Sequence, residues 1–423
     1  MWEKIEKIWK ARDLRNSILF VIGALAIFRL AAHIPIPGVN VLALKQFFDS
    51  NQVLGLLNLF SGGCMQNFSI VMMGVGPYIT SSIVFQLLTM VVPKLEEMNK
   101  EESGRAKINM WTRWLTVPLS MFQAYSMILL LKRSTTGIIS DLTPLATISM
   151  ILTITAGTVL LMWLGELINE KKIGNGISIM IFAGIVARLP ATFSQTFATY
   201  DQSMLFTLIG FVLVAIVTVV AVVIINEGQR KIPVQYARQI RGDRVFGGSA
   251  THLPLRVNMA GVMPIIFAIS LSMFPQTIAQ FFVHAQSAWL ANAATWLTQV
   301  FANQWIYGIL YFLLVVGFTY FYTEVIFHPT EVAENLQKQG GFIPGIRPGK
   351  PTADYLSGTA HKVIFSGAIF LGLIAVLPLV IRSFTGYQWL AIGGTSLLIV
   401  VSVVIDMVKQ IQAQLSMRDY DII

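Results

Sequence analysis

An all-α integral membrane protein with ten transmembrane helices is predicted by three properties of the sequence: its apolar composition, the spacing of its apolar runs and the one-sided placement of its positive charge. Of 423 residues, 55% are apolar and only 12% charged, whereas about a quarter of a soluble domain is charged. The mean hydropathy is +0.68. A helix crossing a hydrocarbon core of about 30 Å needs about 20 apolar residues. Ten candidate runs lie near 17–36, 68–92, 110–131, 145–168, 175–197, 204–226, 258–282, 305–327, 362–381 and 387–407. Of the 30 Lys and Arg, 24 fall in the tails and in the loops after even-numbered spans, 4 fall in the other loops, and Arg29 and Arg188 lie within spans. The positive-inside rule therefore predicts that both termini are cytoplasmic.

From the amino end, residues 1–16 form an amphipathic segment in which Trp2, Ile5 and Trp9 repeat at helical spacing among lysines. This is the pattern of a short helix in the headgroup layer, and no small-residue cleavage site follows to make it a signal peptide. After span 1, residues 53–60 (VLGLLNLF) are apolar and end at Ser61, Gly62 and Gly63. As a helix this run reaches only about 12 Å. Two readings stay open: a half-helix dipping into a bundle that is hollow on its outer side, or a helix lying flat on the outer surface.

Arg29 is the clearly deep charge, explained by snorkelling or by a bond to a backbone carbonyl. Glu166, Glu227, Glu324 and Asp406 fall at the cytoplasmic ends of their helices, so the mid-membrane acid of an ion-coupled carrier is missing. Asn58, Gln86, Gln123 and Asn258 add uncharged polarity in or beside spans, equally readable as helix-to-helix glue or as a polar seam.

Two loops are large, about 228–257 and 328–361. The first carries Arg230, Lys231, Arg238, Arg241, Arg244 and Arg256. Clustered arginine suits an anionic surface, either RNA or an acidic protein patch; by composition, merely setting topology is an equal alternative. A single cysteine and five scattered histidines without a His-x-x-x-His pair give no metal site. There is no Gly-x-x-x-x-Gly-Lys-Ser/Thr loop for a nucleotide and no Gly-x-Ser-x-Gly or His-Glu-x-x-His motif. A passive channel, a secondary transporter of a small solute and, least supported, an intramembrane enzyme are the functions to compare.

Five stretches, 61–88 (SGGCMQNFSIVMMGVGPYITSSIVFQLL), 162–190 (MWLGELINEKKIGNGISIMIFAGIVARLP), 251–267 (THLPLRVNMAGVMPIIF), 341–349 (GFIPGIRPG) and 393–406 (GGTSLLIVVSVVID), resemble the SecY family, channel-forming subunits of the bacterial protein-conducting translocon. The resemblance covers essentially the whole chain. It implies two pseudo-symmetric inverted five-helix halves, 17–198 and 199–408, around an hourglass pore, with a cytoplasmic tail at 409–423. The pore would be closed by a ring of Ile79, Ile83, Ile181, Ile185, Ile266 and Ile399. The i,i+4 spacing of the first two pairs puts each pair on one helix face. A plug at about 53–65 would include Leu56, Leu57, Phe60, Ser61, Gly62, Gly63 and Cys64, the last as a small apolar filler. A lateral gate for signal sequences would lie between spans 2, 3, 7 and 8, with Thr80, Gln86, Gln123 and Asn258 as candidates. The basic loops would dock the ribosome and the ATPase SecA through Arg230, Lys231, Arg238, Arg241, Arg244 and above all Arg347. Implied partners also include the small subunits SecE and SecG and the secretory and membrane protein chains themselves; the implied location is the bacterial cytoplasmic membrane, and no cofactor is implied.

Overall fold

The computed structural model describes residues 6, 9–50, 58, 61–132, 138, 143–198, 205–236, 239–241, 244–246, 250–283, 287–385 and 388–421. Its helices are α1 (Arg12–Ala32), α2 (Val41–Ser50), α3 (Gly76–Val91), α4 (Pro93–Lys100), α5 (Glu102–Lys132), α6 (Pro144–Glu170), α7 (Gly176–Ala198), α8 (Leu205–Glu227), α9 (Met263–Phe282), α10 (Ala288–Ala302), α11 (Gln304–Ile326), α12 (Pro329–Lys338), α13 (Lys350–Thr385) and α14 (Gln388–Asp421). Local chemistry sets several starts. Proline sits in the first turn of α3, α4, α6, α9 and α12, where its missing N–H costs nothing. The Thr143 hydroxyl caps α6 and the Asn303 amide oxygen caps α11.

A helix stands at each of the ten expected spans. Among the described residues, seven (α1, α5, α6, α8, α11, α13 and α14) are long and apolar enough to cross a membrane, and an eighth is the pair α3 and α4 if their 106° bend is one broken span. Helices α7 and α9 carry shorter apolar stretches, Gly176–Ala191 and Met263–Ser272. Trp2 and Ile5 of the amino-terminal segment lie outside the described residues.

Span 2 departs from expectation: its helix begins at Gly76, not at residue 68. Residues 61–75 run as turns, with Gly62, Gly63, Phe68 and Gly74 at φ of +72°, +86°, +45° and +57°, which no α-helix accommodates. Burial accounts for the apolar character that suggested a helix. Phe68, Val71 and Met72 are fully buried, and Gly157 of α6 leaves the space that the Ile70 carbonyl occupies. Backbone bonds from Ile36 N–H to Phe68 O (2.9 Å) and from Ile70 N–H to Ile34 O (3.1 Å) tie this segment to the chain leaving α1.

The helices form two sets. In the first, α3 packs on α5, α5 on α6, α6 on α7, and α1 covers α6 and α7. In the second, α9 packs on α11, α11 on α13, α13 on α14, and α14 on α8. The sets meet where α7 lies against α14 and where α3 and α5 lie against α9. One apolar cluster fills the middle, running from Val21 and Phe28 of α1 to Ile399 and Val403 of α14. The two meetings differ in chemistry. Gln414 donates to the Lys172 carbonyl at 2.7 Å beside the α7–α14 contact, whereas the side-chain hydrogen bonds of α3 end on α3 itself or on α5.

Strands from the two large loops join into one platform. Strand β1 (Gln229–Tyr236) pairs antiparallel with β4 (Ala250–Arg256) on one side and with β5 (Gly341–Phe342) on the other. A separate hairpin pairs β2 (Gln239–Arg241) with β3 (Arg244–Phe246). Along β1, buried Ile232 and Val234 alternate with exposed Lys231, Pro233 and Gln235, as one covered face of a strand requires. With Leu255, Leu336, Ile343 and Leu356 they make a small core of their own.

Candidate functional site

The structure brings all six expected isoleucines into the central cluster. Ile79 and Ile83 come from α3, Ile181 and Ile185 from α7, Ile266 from α9 and Ile399 from α14; each is at most 6% exposed. They are thus drawn from both helix sets, on helices through which the sets meet. Burying an isoleucine is worth about 1.5–3 kcal/mol relative to leaving it exposed to water, so these contacts help hold the two sets together. Beside Ile181, the cavity lined by Phe28, Ser61, Val75, Leu161 and Met180 has a volume of about 10 Å³, no more than one water requires.

Against this cluster lies the segment that follows the short apolar run. Leu56, Leu57 and Phe60 fall outside the described residues; Ser61 and Cys64 are buried. Gly62 meets Gly184 of α7 backbone to backbone: a Cβ on Gly184 would lie 2.5 Å from Gly62 Cα. Arg29, the deep charge of span 1, donates from Nη1 to the Gly62 carbonyl at 2.9 Å, the carbonyl bond that was one of the two readings of its depth. Sequence reasoning did not single out Gly184 or Arg188 at this place. Arg188 donates to Gln66 Oε1 at 3.1 Å, and its position inside a span was the available signal.

Comparison with known proteins decides the family. The SecY family model matches residues 69–408. The protein translocase subunit SecY of Streptomyces griseus is 43% identical over 443 residues, covering 100% of this chain and 99% of that protein; that of Halalkalibacterium halodurans is also 43% identical, covering 99% of each. The chain belongs to the SecY family. Among solved structures, a protein-conducting channel superposes with a TM-score of 0.64 at 18% identity over 93% of this chain and 91% of its own. Sec61 in a canine ribosome-channel complex superposes at 0.60 and 17% identity, with the same coverage. These likenesses carry the fold alone: a multi-pass bundle of α-helices. A small-solute carrier, which composition left open, finds no support among these SecY relatives.

Within this SecY-family fold the polar residues of the expected gate divide. Thr80 donates to the Gly76 carbonyl of its own helix at 3.1 Å. Gln86 donates to Ser82 Oγ at 3.4 Å, leaving its Oε1 buried without a hydrogen bond, and Gln123 is half-buried on α5. Asn258 lies just before α9. Its Nδ2 donates to Asn226 Oδ1 at 2.6 Å and to the Gly261 carbonyl at 3.2 Å, and Asn226 Nδ2 donates to Ser402 Oγ at 2.8 Å. Lys409 adds a bond to the Asn226 carbonyl (3.1 Å) and an ion pair with Glu227 (3.0 Å). The Asn258 amide nitrogen is thus held in a knot with α8 and α14 at the foot of the sheet, while its Oδ1 is buried without a hydrogen bond; Asn226, Ser402 and Lys409 of this knot are not residues the sequence reading singled out.

The expected docking residues of this SecY-family chain divide between the β platform, the separate β2–β3 hairpin and the turn after β5. Arg230 and Lys231 are exposed on β1. The β2–β3 pairing sets Arg241 opposite Arg244, and Arg238 lies outside the described residues. Arg347 is exposed in a turn bounded by Gly345 and Gly349, at φ of +82° and +95°, a conformation glycine adopts without strain. The Thr352 hydroxyl donates to the Arg347 carbonyl at 2.8 Å, fixing the turn to the start of α13. The 14-residue separation from β1 to β4 and the far larger one to β5 explain why sequence patterning did not assemble this surface.

Proposed function

We propose that this chain is the protein-conducting channel of a bacterial translocon, passing unfolded secretory polypeptides across the cytoplasmic membrane and releasing membrane-protein helices sideways into lipid. The observation that carries the reading is the buried isoleucine cluster drawn from both helix sets. An apolar constriction offers an ion no ligands and dewets, yet branched side chains can deform around a passing chain without binding any one sequence. In this reading the six isoleucines are the pore ring, residues 53–65 are the plug, and the contact of α3 and α5 with α9 is the lateral gate. A gate held by apolar contacts can part into lipid, where those side chains remain solvated by hydrocarbon.

The termini and the β platform face the cytoplasm, in keeping with the 24 to 4 distribution of Lys and Arg outside the spans. The halves 17–198 and 199–408 are the two shells of the pore, and the platform docks the ribosome and SecA, with Arg347 at the contact. SecE and SecG complete the complex. The pore is passive and not an enzyme: the sequence has no nucleotide loop, so partners supply the energy. The test is reconstitution into proteoliposomes with SecE, SecG, SecA and ATP. A secretory precursor should become protease-protected only when this chain is present; protection that does not depend on it would refute the function.

A further inference from the structure

Two intramembrane arginines act on one short segment. Arg29 of α1 donates to the Gly62 carbonyl at 2.9 Å. Arg188 of α7 donates to Gln66 Oε1 at 3.1 Å, and its aliphatic part covers Gly63, where an added Cβ would lie 3.3 Å from Arg188 Cδ. Gln66 is itself locked: Asn58 Nδ2 donates to the same Oε1 at 3.1 Å, and the Gln66 N–H donates to Asn58 Oδ1 at 3.0 Å. The Gly63 N–H and the Ser61 hydroxyl both donate to the Asn58 carbonyl, at 2.8 and 3.0 Å. The result is that Asn58, residues 61–63 and Gln66 are tied together and gripped by a guanidinium at two points. Both grips come from the first helix set.

A charge within a span is costly unless paired, and a bond from a guanidinium is stronger than a neutral one. We propose that Arg29 and Arg188 are positioning residues that latch the plug to α1 and α7, so that plug exit is a separate step from parting of α3 and α5 from α9. Parting that contact breaks none of these bonds. The entering polypeptide must unseat the loop itself, and the latch sets how readily a weak signal sequence succeeds. The inference rests on the channel reading for the meaning of the movement, while its test reads the movement alone.

Cys64 is the sole cysteine and is fully buried within the latched segment, so it reports unseating without engineering. The complete complex in proteoliposomes is exposed to a membrane-impermeant maleimide, and the rate of Cys64 labelling is followed in wild type, Arg188→Leu, Arg188→Lys, Arg29→Gln and Gln66→Leu. Loss of one charge-assisted bond should raise the labelling rate roughly ten- to a hundredfold, in Arg188→Leu and Gln66→Leu alike, with Arg188→Lys restoring most of the protection. A general loosening of the fold would not be rescued by lysine. If Arg188→Leu fails to insert, Gln66→Leu removes the same bond from the other end. Wild-type labelling in Gln66→Leu and Arg29→Gln overturns the latch, even if transport is intact; absence of transport by wild type would instead overturn the channel reading and leave the labelling result standing.

Discussion

Gly184→Ala isolates the closed state of the channel. A methyl at Gly184 would lie 2.5 Å from Gly62 Cα and 3.3 Å from Gly62 N, where non-bonded carbons sit about 3.5–4.0 Å apart. Gly62 has little room to yield: it lies at φ +72°, and a Cβ there would meet Gly184 Cα at 2.9 Å and Phe28 Cζ at 3.2 Å. Overpacking of this kind costs about 1–3 kcal/mol, and only while residues 61–64 are seated. Helix α7 itself gains up to about 1 kcal/mol from alanine over glycine, so folding is spared and the strain falls on the seated segment. A differential of about 1–3 kcal/mol raises the unseated population by about 5- to 150-fold. Ion efflux from proteoliposomes and opening frequency in planar bilayers read that population. A Gly184→Ala protein that melts like wild type and leaks no more than wild type would refute the reasoning.

The other perturbations separate the remaining parts. Ile399→Asn puts an amide into a fully buried place in the isoleucine cluster, costing about 1–3 kcal/mol in the closed state; planar bilayers should show ion conductance, and export should accept precursors with defective signal sequences. Arg347→Glu changes an exposed turn residue, a class of substitution that usually moves stability by under about 0.5 kcal/mol; ATP-driven transport should fall to background while the melting temperature holds. Asn226→Ala leaves Asn258 Nδ2 and Ser402 Oγ without the partners they have at 2.6 and 2.8 Å. Thermal unfolding in detergent should show a loss of about 1–3 kcal/mol, and an unchanged melting curve would show the knot contributes nothing.

Where the sequence was legible and where it was not follows from the range of the forces involved. Hydropathy over about 20 residues is a local signal, and it located a helix at each expected span. It failed at residues 68–75, where the same apolar side chains are demanded by burial against α6 and the backbone is set by left-handed residues such as Phe68 and Gly74. Helices α2 and α10 lie between spans and are too short for a hydropathy window, although Trp289 and Trp296 of α10, both exposed, carry an interfacial pattern. The platform needs strands from two distant loops; only the alternation of Lys231, Ile232, Pro233 and Val234 hinted at β1.

Within the site, the isoleucines were found through motif resemblance, since nothing intrinsic to an isoleucine distinguishes pore from lipid. A bond from Arg29 to a carbonyl was one of the two outcomes that the expense of a deep charge implied, snorkelling being the other. The closeness of Gly62 to Gly184 could not be foreseen, because a glycine's value there is the absence of a side chain opposite another absence, and neither position reveals its partner.

The central claim is that an unfolded chain passes through the isoleucine cluster. A secretory precursor stalled in transit, with photoreactive groups placed in turn at Ile83 and Ile185 of this chain, measures that passage. Crosslinks from both positions, absent when the precursor lacks its signal sequence, are predicted; a stalled, protease-protected precursor that crosslinks to neither would contradict it.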